Sequence, residues 1–241
     1  MITLHYVATA NGMKIAIALE EMGLDYEVID YPLFEGRHLT AEFRRLNPNC
    51  KLPVIVDNAP AGGGEPVTVF ETGAILLYLA EKTGRFLPAG GSARWQTIEW
   101  LVWQVAGHGP MNGQAHHFVR YAPEGQDYGV ERYRREVVRL LNVLEYRLNE
   151  SAWLGGTEYT IADMATWHWT WASPLLGIDM ADFPAVARWI EAVGRRPAVI
   201  RATTNPATAL PVGNTQLRAK LSVEQWSNMF GDNMHRAATL S

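Results

Sequence analysis

An α/β domain followed by an all-α domain is the fold class that this sequence predicts, and three observations predict it. Apolar residues alternate or cluster in four short runs within the first 70 positions, with helical spacing between them. From Arg94 onward strand signals vanish, and apolar residues recur at helical spacing over long stretches. Between these regimes lies a linker composition, with Pro88, Gly90 and Gly91 close together.

The elements follow in order. Ile2-Thr3-Leu4-His5-Tyr6 alternates and reads as a strand, then Val7 to Gly12 as a loop. Residues 14–22 carry Ile15, Ala18, Leu19 and Met22 on one helical face, stopped by Gly23. A second strand over 26–31 makes the opening β-α-β, whose strands should be parallel. Lys51-Leu52-Pro53-Val54 is a loop entering a β-branched strand at Val54-Ile55-Val56, and a turn containing Gly62-Gly63-Gly64 leads to Val67-Thr68-Val69-Phe70. Glu71-Thr72-Gly73-Ala74-Ile75 then opens a helix. Residues 1–84 therefore spell βαβ then ββα, a thioredoxin-like order, followed by a linker over 85–93. Helical spacing over 95–106, 129–150, 161–175 and 183–194 makes 94–205 a bundle domain. Thr160-Ile161-Ala162-Asp163 has the form of a capping box, a structural device. After about Thr203 the periodicity weakens and Pro206 and Pro211 intervene, so 206–241 reads as a tail.

Composition narrows the function. The net charge is −4 with no basic run, which argues against nucleic acid as a partner. Charges interrupt every apolar stretch and no basic-then-apolar leader opens the chain, so a cytoplasmic protein with no membrane partner is expected. One cysteine, Cys50, leaves no internal disulfide, no Cys-based zinc site and no Cys-x-x-Cys pair. If the protein does thiol chemistry, the thiol must come mainly from a bound cofactor. His116 and His117 are adjacent, about 100° apart on a helix, with no carboxylate or cysteine spaced to complete a site, so no metal is expected.

The stretch around 47–79 holds the most informative residues. An X–Pro bond entering a strand is where cis peptides occur, which would turn the Leu52 backbone outward to an extended ligand. At the next helix start, Thr72 and the free N–H groups suit a carboxylate, and Glu71 suits an ammonium. The implied ligand carries both charges on one end, like an amino acid. Taken singly, Pro53 is an edge device and Thr72 a helix cap. Similarly, Thr9 and Asn11 stand just before a helix, where they either cap it or stabilise negative charge at its N-terminus.

The order and spacing Asn47-Pro48, Lys51-Leu52-Pro53-Val54, Asp57, Glu71-Thr72, Ala74-Ile75, Tyr78-Leu79 resembles the glutathione site of the cytosolic glutathione transferases. Thr9-Ala10-Asn11-Gly12 resembles the T-x-N-G segment of the nu-class branch, as do Trp103-Gln104, Gly109-Pro110-Met111, Gly113-Gln114 and His116-His117-Phe118 in the second half. The resemblance implies Thr9 and Asn11 as the catalytic pair, donating to a glutathione thiolate in place of the Tyr, Ser or Cys of other classes. It implies glutathione contacts from Leu52, Pro53, Glu71, Thr72 and Lys51, and from Arg132. His38 stands where the branch has a Gln, a departure from the pattern. Tyr6 and His5 read as packing. Cys50 adjoins the binding loop, with Lys51 beside it to lower its pKa, but the branch has no cysteine there.

The activity so implied is glutathione-dependent disulfide reduction using glutathione or its disulfide, with weak conjugation, in a homodimer. A lyase or transferase acting on an aromatic thioether or ether is an alternative, with Trp100, Trp103, Phe118, Trp167 and Trp171 as pocket candidates. A non-catalytic glutathione-binding regulatory or interaction module is another.

Overall fold

A computed structural model describes residues 1–210 and 218–239; Pro211 and the rest of 211–217, with 240–241, lie outside the described residues. The chain divides into two compact units. The first comprises Met1–Thr83 with the described residues of the stretches that begin at Arg201 and Lys220, and the second comprises Gly84–Ile200 with Arg218 and Ala219.

In the first unit, strands β1 (Ile2–Tyr6), β2 (Tyr26–Asp30), β3 (Val54–Asp57) and β4 (Val67–Phe70) form one sheet in the order β2-β1-β3-β4. β1 pairs parallel with β2, as the β-α-β opening predicts, and antiparallel with β3; β3 pairs antiparallel with β4. The alternating pattern of β1 suggests one wet face, yet all five residues are buried. Its two polar members are buried with partners: Thr3 Oγ1 donates to Glu27 Oε1 at 2.8 Å, and His5 Nδ1 lies 2.8 Å from the Tyr31 hydroxyl.

Helix α1 (Ala10–Met22) begins four residues earlier than its apolar spacing indicates, because Thr9 caps it: the Thr9 hydroxyl accepts from Gly12 N at 3.3 Å. It ends on Gly23 in the left-handed conformation, whose N–H returns to Leu19 O. At Gly12 a Cβ would lie 2.2 Å from Val7 O and 2.7 Å from the Tyr6 ring, so the strand can turn into α1 this tightly only with glycine. A short helix, α2 (Ala41–Leu46), has too few residues to show a period; it places Phe43 edge-on to His5 and Tyr31. α3 (Thr72–Thr83) packs against α1.

The second unit is helical, as expected, with different bounds. α4 (Gly91–Trp103), a π-helical turn over Gln104–His108 and α5 (Gly109–Arg120) run on without interruption, followed by α6 (Asp127–Glu150), α7 (Ile161–Trp171) and α8 (Pro184–Gly194). α9 (Pro197–Thr204), which begins in this unit and ends in the first, has the Pro at its start that helices tolerate. α7 is buried on nearly every residue. Its capping box is present, and the fully buried Asp163 carboxylate accepts from Thr160 N at 3.0 Å, Leu154 N at 2.9 Å and Trp189 Nε1 at 2.9 Å. No helix among the described residues is long and apolar enough to cross a membrane.

The stretch read from sequence as a tail carries helices α10 (Val223–Phe230) and α11 (Asp232–Ala237), which belong to the first unit. Each is under three turns long, too short to stand out by periodicity, but Ser222 and Gln225 form a capping box that the S-x-x-Q spacing signals. Earlier in the same stretch, Tyr6 donates to Thr208 O at 2.7 Å, tying it beneath β1.

Because Asp163 satisfies four buried donors at once, the Thr160 hydroxyl at 3.2 Å being the fourth, Asp163→Ala should lower unfolding free energy by about 3 kcal/mol, read as a lower urea midpoint at unchanged m-value.

Candidate functional site

The sheet register decides which loops meet. Tyr6 ends β1, His5 is opposite Val54, and Val54 is opposite Phe70. The residues just beyond these three lie at one edge of the sheet: Val7 to Asn11 after β1, Leu52 and Pro53 before β3, and Glu71 and Thr72 after β4. Tyr31 to His38 leaves the same edge from β2. Thr9, Asn11, Leu52, Pro53, Glu71 and Thr72, far apart in sequence, are thus brought to one place.

Each is held differently. Thr9 is the N-cap of α1: its oxygen accepts from Gly12 N, and its hydroxyl proton faces Val7 O at a long 3.5 Å. Asn11 follows in the first turn, where backbone N–H groups are left without helical acceptors and the helix dipole is positive. The Leu52–Pro53 peptide is cis, as the sequence suggests. Glu71 is exposed and carries φ +67°. Cys50, at φ +49°, is a second non-glycine residue in the left-handed region on this side of the unit; such backbone clusters at functional sites. Thr72 opens α3 and accepts from Lys14 Nζ at 3.3 Å.

His38 and Lys51 stand together. Burial, and then the Lys51 charge, holds the His38 imidazole down to about 4, so the ring is neutral at pH 7. Its Nδ1 is buried with no hydrogen-bond partner among the described residues, and the ring meets Phe43 edge-on. Lys51 Nζ lies 3.1 Å from Met234 Sδ in α11, whose last residue, Ala237, presents its carbonyl 3.7 Å from Cys50 Sγ. Asn228 of α10 donates to Phe34 O at 3.0 Å. The C-terminal helices therefore cover the 34–51 segment, a feature that sequence reasoning missed. Cys50 is 2% exposed, and burial pushes its thiol up against the opposing pull of Arg44 and Lys51, the reverse of what a nucleophile needs.

The remaining candidates belong to the helical unit. Arg132 lies on α6, half-exposed, with Nη1 3.6 Å from Glu136 Oε2. Its neighbour Arg134 is partly buried, its guanidinium against Gly177, rather than on a solvated face. His116 is buried against Trp169, and burial lowers its imidazole to about 4. No group of three or more metal-ligating side chains occurs among the described residues. Trp167 is core, donating to Ile190 O at 3.0 Å, whereas Trp171 is exposed. Trp100 and Trp103 meet edge-on, and Trp103 stacks on His108.

Chemically, the sheet edge offers a carboxylate for an ammonium (Glu71), a helix N-terminus with a hydroxyl for a carboxylate (Thr72), a second helix N-terminus with hydroxyl and amide donors for a developing anion (Thr9, Asn11), and a cation with a neutral imidazole at the far side (Lys51, His38). A thioredoxin-like unit with this edge, in one chain with a helical unit, defines the glutathione transferase class. The sequence matches the family descriptions "Glutathione S-transferase, N-terminal domain" over residues 10–82 and "Glutathione S-transferase, C-terminal domain" over residues 110–197. The chain belongs to the glutathione S-transferase family.

Among its relatives it is 52% identical over 198 residues to the disulfide-bond oxidoreductase YfcG of Escherichia coli (strain K12), across 82% of this chain and 92% of that protein. A glutathione transferase family member from Pseudomonas fluorescens pf-5, solved with two glutathione bound, shares 41% identity at a TM-score of 0.76, covering 83% of this chain and 91% of the other. A glutathione transferase from Pseudomonas putida, solved with one glutathione disulfide bound per subunit, shares 38% identity at 0.78, covering 85% and 91%.

Burial of Cys50 sets an expectation for its reactivity. Native protein should react with an aromatic disulfide reagent at least about 100-fold more slowly than a free thiol, and a chain ending at Lys220 should react faster, followed by thiolate release at pH 8.

Proposed function

We propose that this chain is a glutathione-dependent disulfide oxidoreductase of the nu-class kind, holding glutathione or its disulfide at the edge built by Thr9, Asn11, Leu52, Pro53, Glu71 and Thr72. The observation that supports the reading is the first helix start: a threonine cap and an asparagine stand at the positive end of α1, while the one cysteine is buried beneath α11. Relatives solved with two glutathiones or with the disulfide, and the YfcG relative, support it.

Glutathione supplies the thiol, and the overall exchange balances as two glutathiones and one substrate disulfide giving glutathione disulfide and two substrate thiols. The chain's residues do the rest. Glu71 and the N-terminus of α3 orient the γ-glutamyl end, the Leu52 backbone pairs with the cysteinyl unit, and Lys51 with neutral His38 meets the glycyl end. Arg132 is a further carboxylate contact in this reading. The Thr9 hydroxyl and Asn11 amide donate to sulfur at the positive end of α1, which lowers the thiol pKa without a base. No side chain there takes a proton, so conjugation is expected to be weak. The family resemblance also supports a cytoplasmic homodimer.

The test is NADPH-coupled reduction of a small mixed disulfide by glutathione. Thr9→Ala and Asn11→Ala should each lower kcat/KM about 10- to 100-fold, Thr9→Ser should restore most of it, and Cys50→Ser should stay within about twofold of wild type. Undiminished turnover in both Thr9→Ala and Asn11→Ala would remove the cofactor-thiol mechanism, and absence of turnover despite tight glutathione binding would redirect the search to aromatic thioethers.

A further inference from the structure

Helices α10 and α11 bridge two loops that the sheet holds apart. The strand order β2-β1-β3 puts the loop that follows β2 and the loop that enters β3 on either side of the end of β1. Buried Asn228 of α10 grips the first: its amide donates to Phe34 O at 3.0 Å, and its oxygen accepts from Asn233 Nδ2 of α11 at 2.8 Å. The side chain fits there because residue 36 is glycine, where a Cβ would come within 2.8 Å of it. Gly36 O in turn accepts from Leu39 N at 2.9 Å, closing a turn that contains His38. Ser227 Oγ accepts from Asn233 N at 3.1 Å, which fixes the bend between the two helices.

The second loop is held from α11. Met234 and Ala237, three residues apart on one helical face, meet Lys51 Nζ at 3.1 Å and Cys50 Sγ at 3.7 Å. Asn47 fixes the backbone of the same loop, donating to Lys51 O at 2.7 Å while its oxygen accepts from Asn49 N at 2.9 Å. Lys51 itself stays exposed, within reach of a ligand. The group chosen to hold it is informative. A thioether is a weak and neutral acceptor, so it restrains the ammonium without cancelling the charge, whereas a carboxylate in that place would compete with an anionic ligand. His38 stands within the field of Lys51, and its buried Nδ1 has no hydrogen-bond partner among the described residues.

We propose that α10 and α11 form a positioning clamp for the glycyl end of glutathione: Asn228 holds the turn that bears His38, Met234 holds the Lys51 ammonium, and the protein's preference for ligands with a free glycyl carboxylate depends on both. The proposal rests on the reading of Lys51 and His38 as the glycyl subsite. A lysine side chain held in place before binding spares the ligand the entropy of ordering it, so the clamp raises affinity without touching the ligand. Met234 and Asn228 are positioning residues in this scheme.

The experiment compares binding of S-methylglutathione with that of its glycyl ethyl ester, by titration calorimetry on the full chain. Wild type is expected to bind the acid about tenfold more tightly than the ester. Met234→Glu places a carboxylate against Lys51 and should abolish that preference by weakening the acid alone, while the isosteric Met234→Gln, a neutral acceptor, should retain most of it. Asn228→Ala, which frees the His38 turn, should cut the preference about threefold or more. A role confined to packing would make Met234→Glu and Met234→Gln alike and weaken acid and ester together. Should Met234→Glu undock α11, read as fast labelling of Cys50, the acid preference is still expected to vanish, so the comparison decides in either state. An acid preference unchanged in Met234→Glu or in Asn228→Ala, or tighter binding of the acid in Asn228→Ala, would overturn the clamp and leave the glycyl subsite standing. Equal binding of acid and ester by wild type would overturn the subsite and the clamp together.

Discussion

The pairing of β3 between β1 and β4 is the constraint on which the rest of this structure depends. His5 faces Val54 and Val54 faces Phe70, so three loops separated by dozens of residues start from one row of the sheet. A one-residue slip in either ladder would turn every side chain of a strand to the other face and carry Pro53 or Glu71 away from Thr9. Burial of both faces of β1 prevents the slip. Tyr6 lies against Gly12 on one side, and His5 lies against Phe43 on the other. Thr3 and His5 are fixed by Glu27 and Tyr31.

On that row the site is built from backbone electrostatics more than from ionisable side chains. Two helices point their N-termini at the same edge, one capped by Thr9 and one opened by Thr72, and each presents N–H groups with no helical acceptor. A peptide with an anionic sulfur and a carboxylate complements both. The side chains that do ionise are tuned to complement this arrangement: His38 is kept neutral, and Lys14 is held near the point of losing its proton. Cys50 is kept as a thiol under Ala237. Membership of the glutathione transferase family fits this economy, since in the proposed mechanism the reactive sulfur arrives with the ligand.

The C-terminal helices show how a short segment gains order from tertiary contact. Neither α10 nor α11 is long enough to be stable alone. Asn228 seats against Gly36, where a Cβ would come within 2.8 Å of its side chain, and Asn233 donates to Asn228 Oδ1 at 2.8 Å. Met234 reaches Lys51. These contacts close over the loop that bears Cys50 and Lys51, so the end of the chain contributes to the environment of residues near its beginning.

Sequence alone determined the four strands, the parallel opening pair, the long helices and the likeness of Thr9-Ala10-Asn11-Gly12 and Lys51-Leu52-Pro53-Val54 to a glutathione site. Those features are local: periodicity, caps and an X–Pro step are written within a few residues of where they act. Three things were decided only by the tertiary structure. α2, α10 and α11 are too short to carry a period, and only packing against the sheet or the 34–51 loop selects them. Cys50 beside Lys51 has the composition of an activated thiol, but burial under Ala237, invisible in the chain, reverses its pKa. Lys14 reads as an ordinary residue at a helix start until the packing of α1 on α3 encloses it and sets its ammonium against Thr72. In each case the deciding quantity is burial by residues distant in sequence, and burial sets the free energy of a charge or of a short helix far more than its immediate neighbours do.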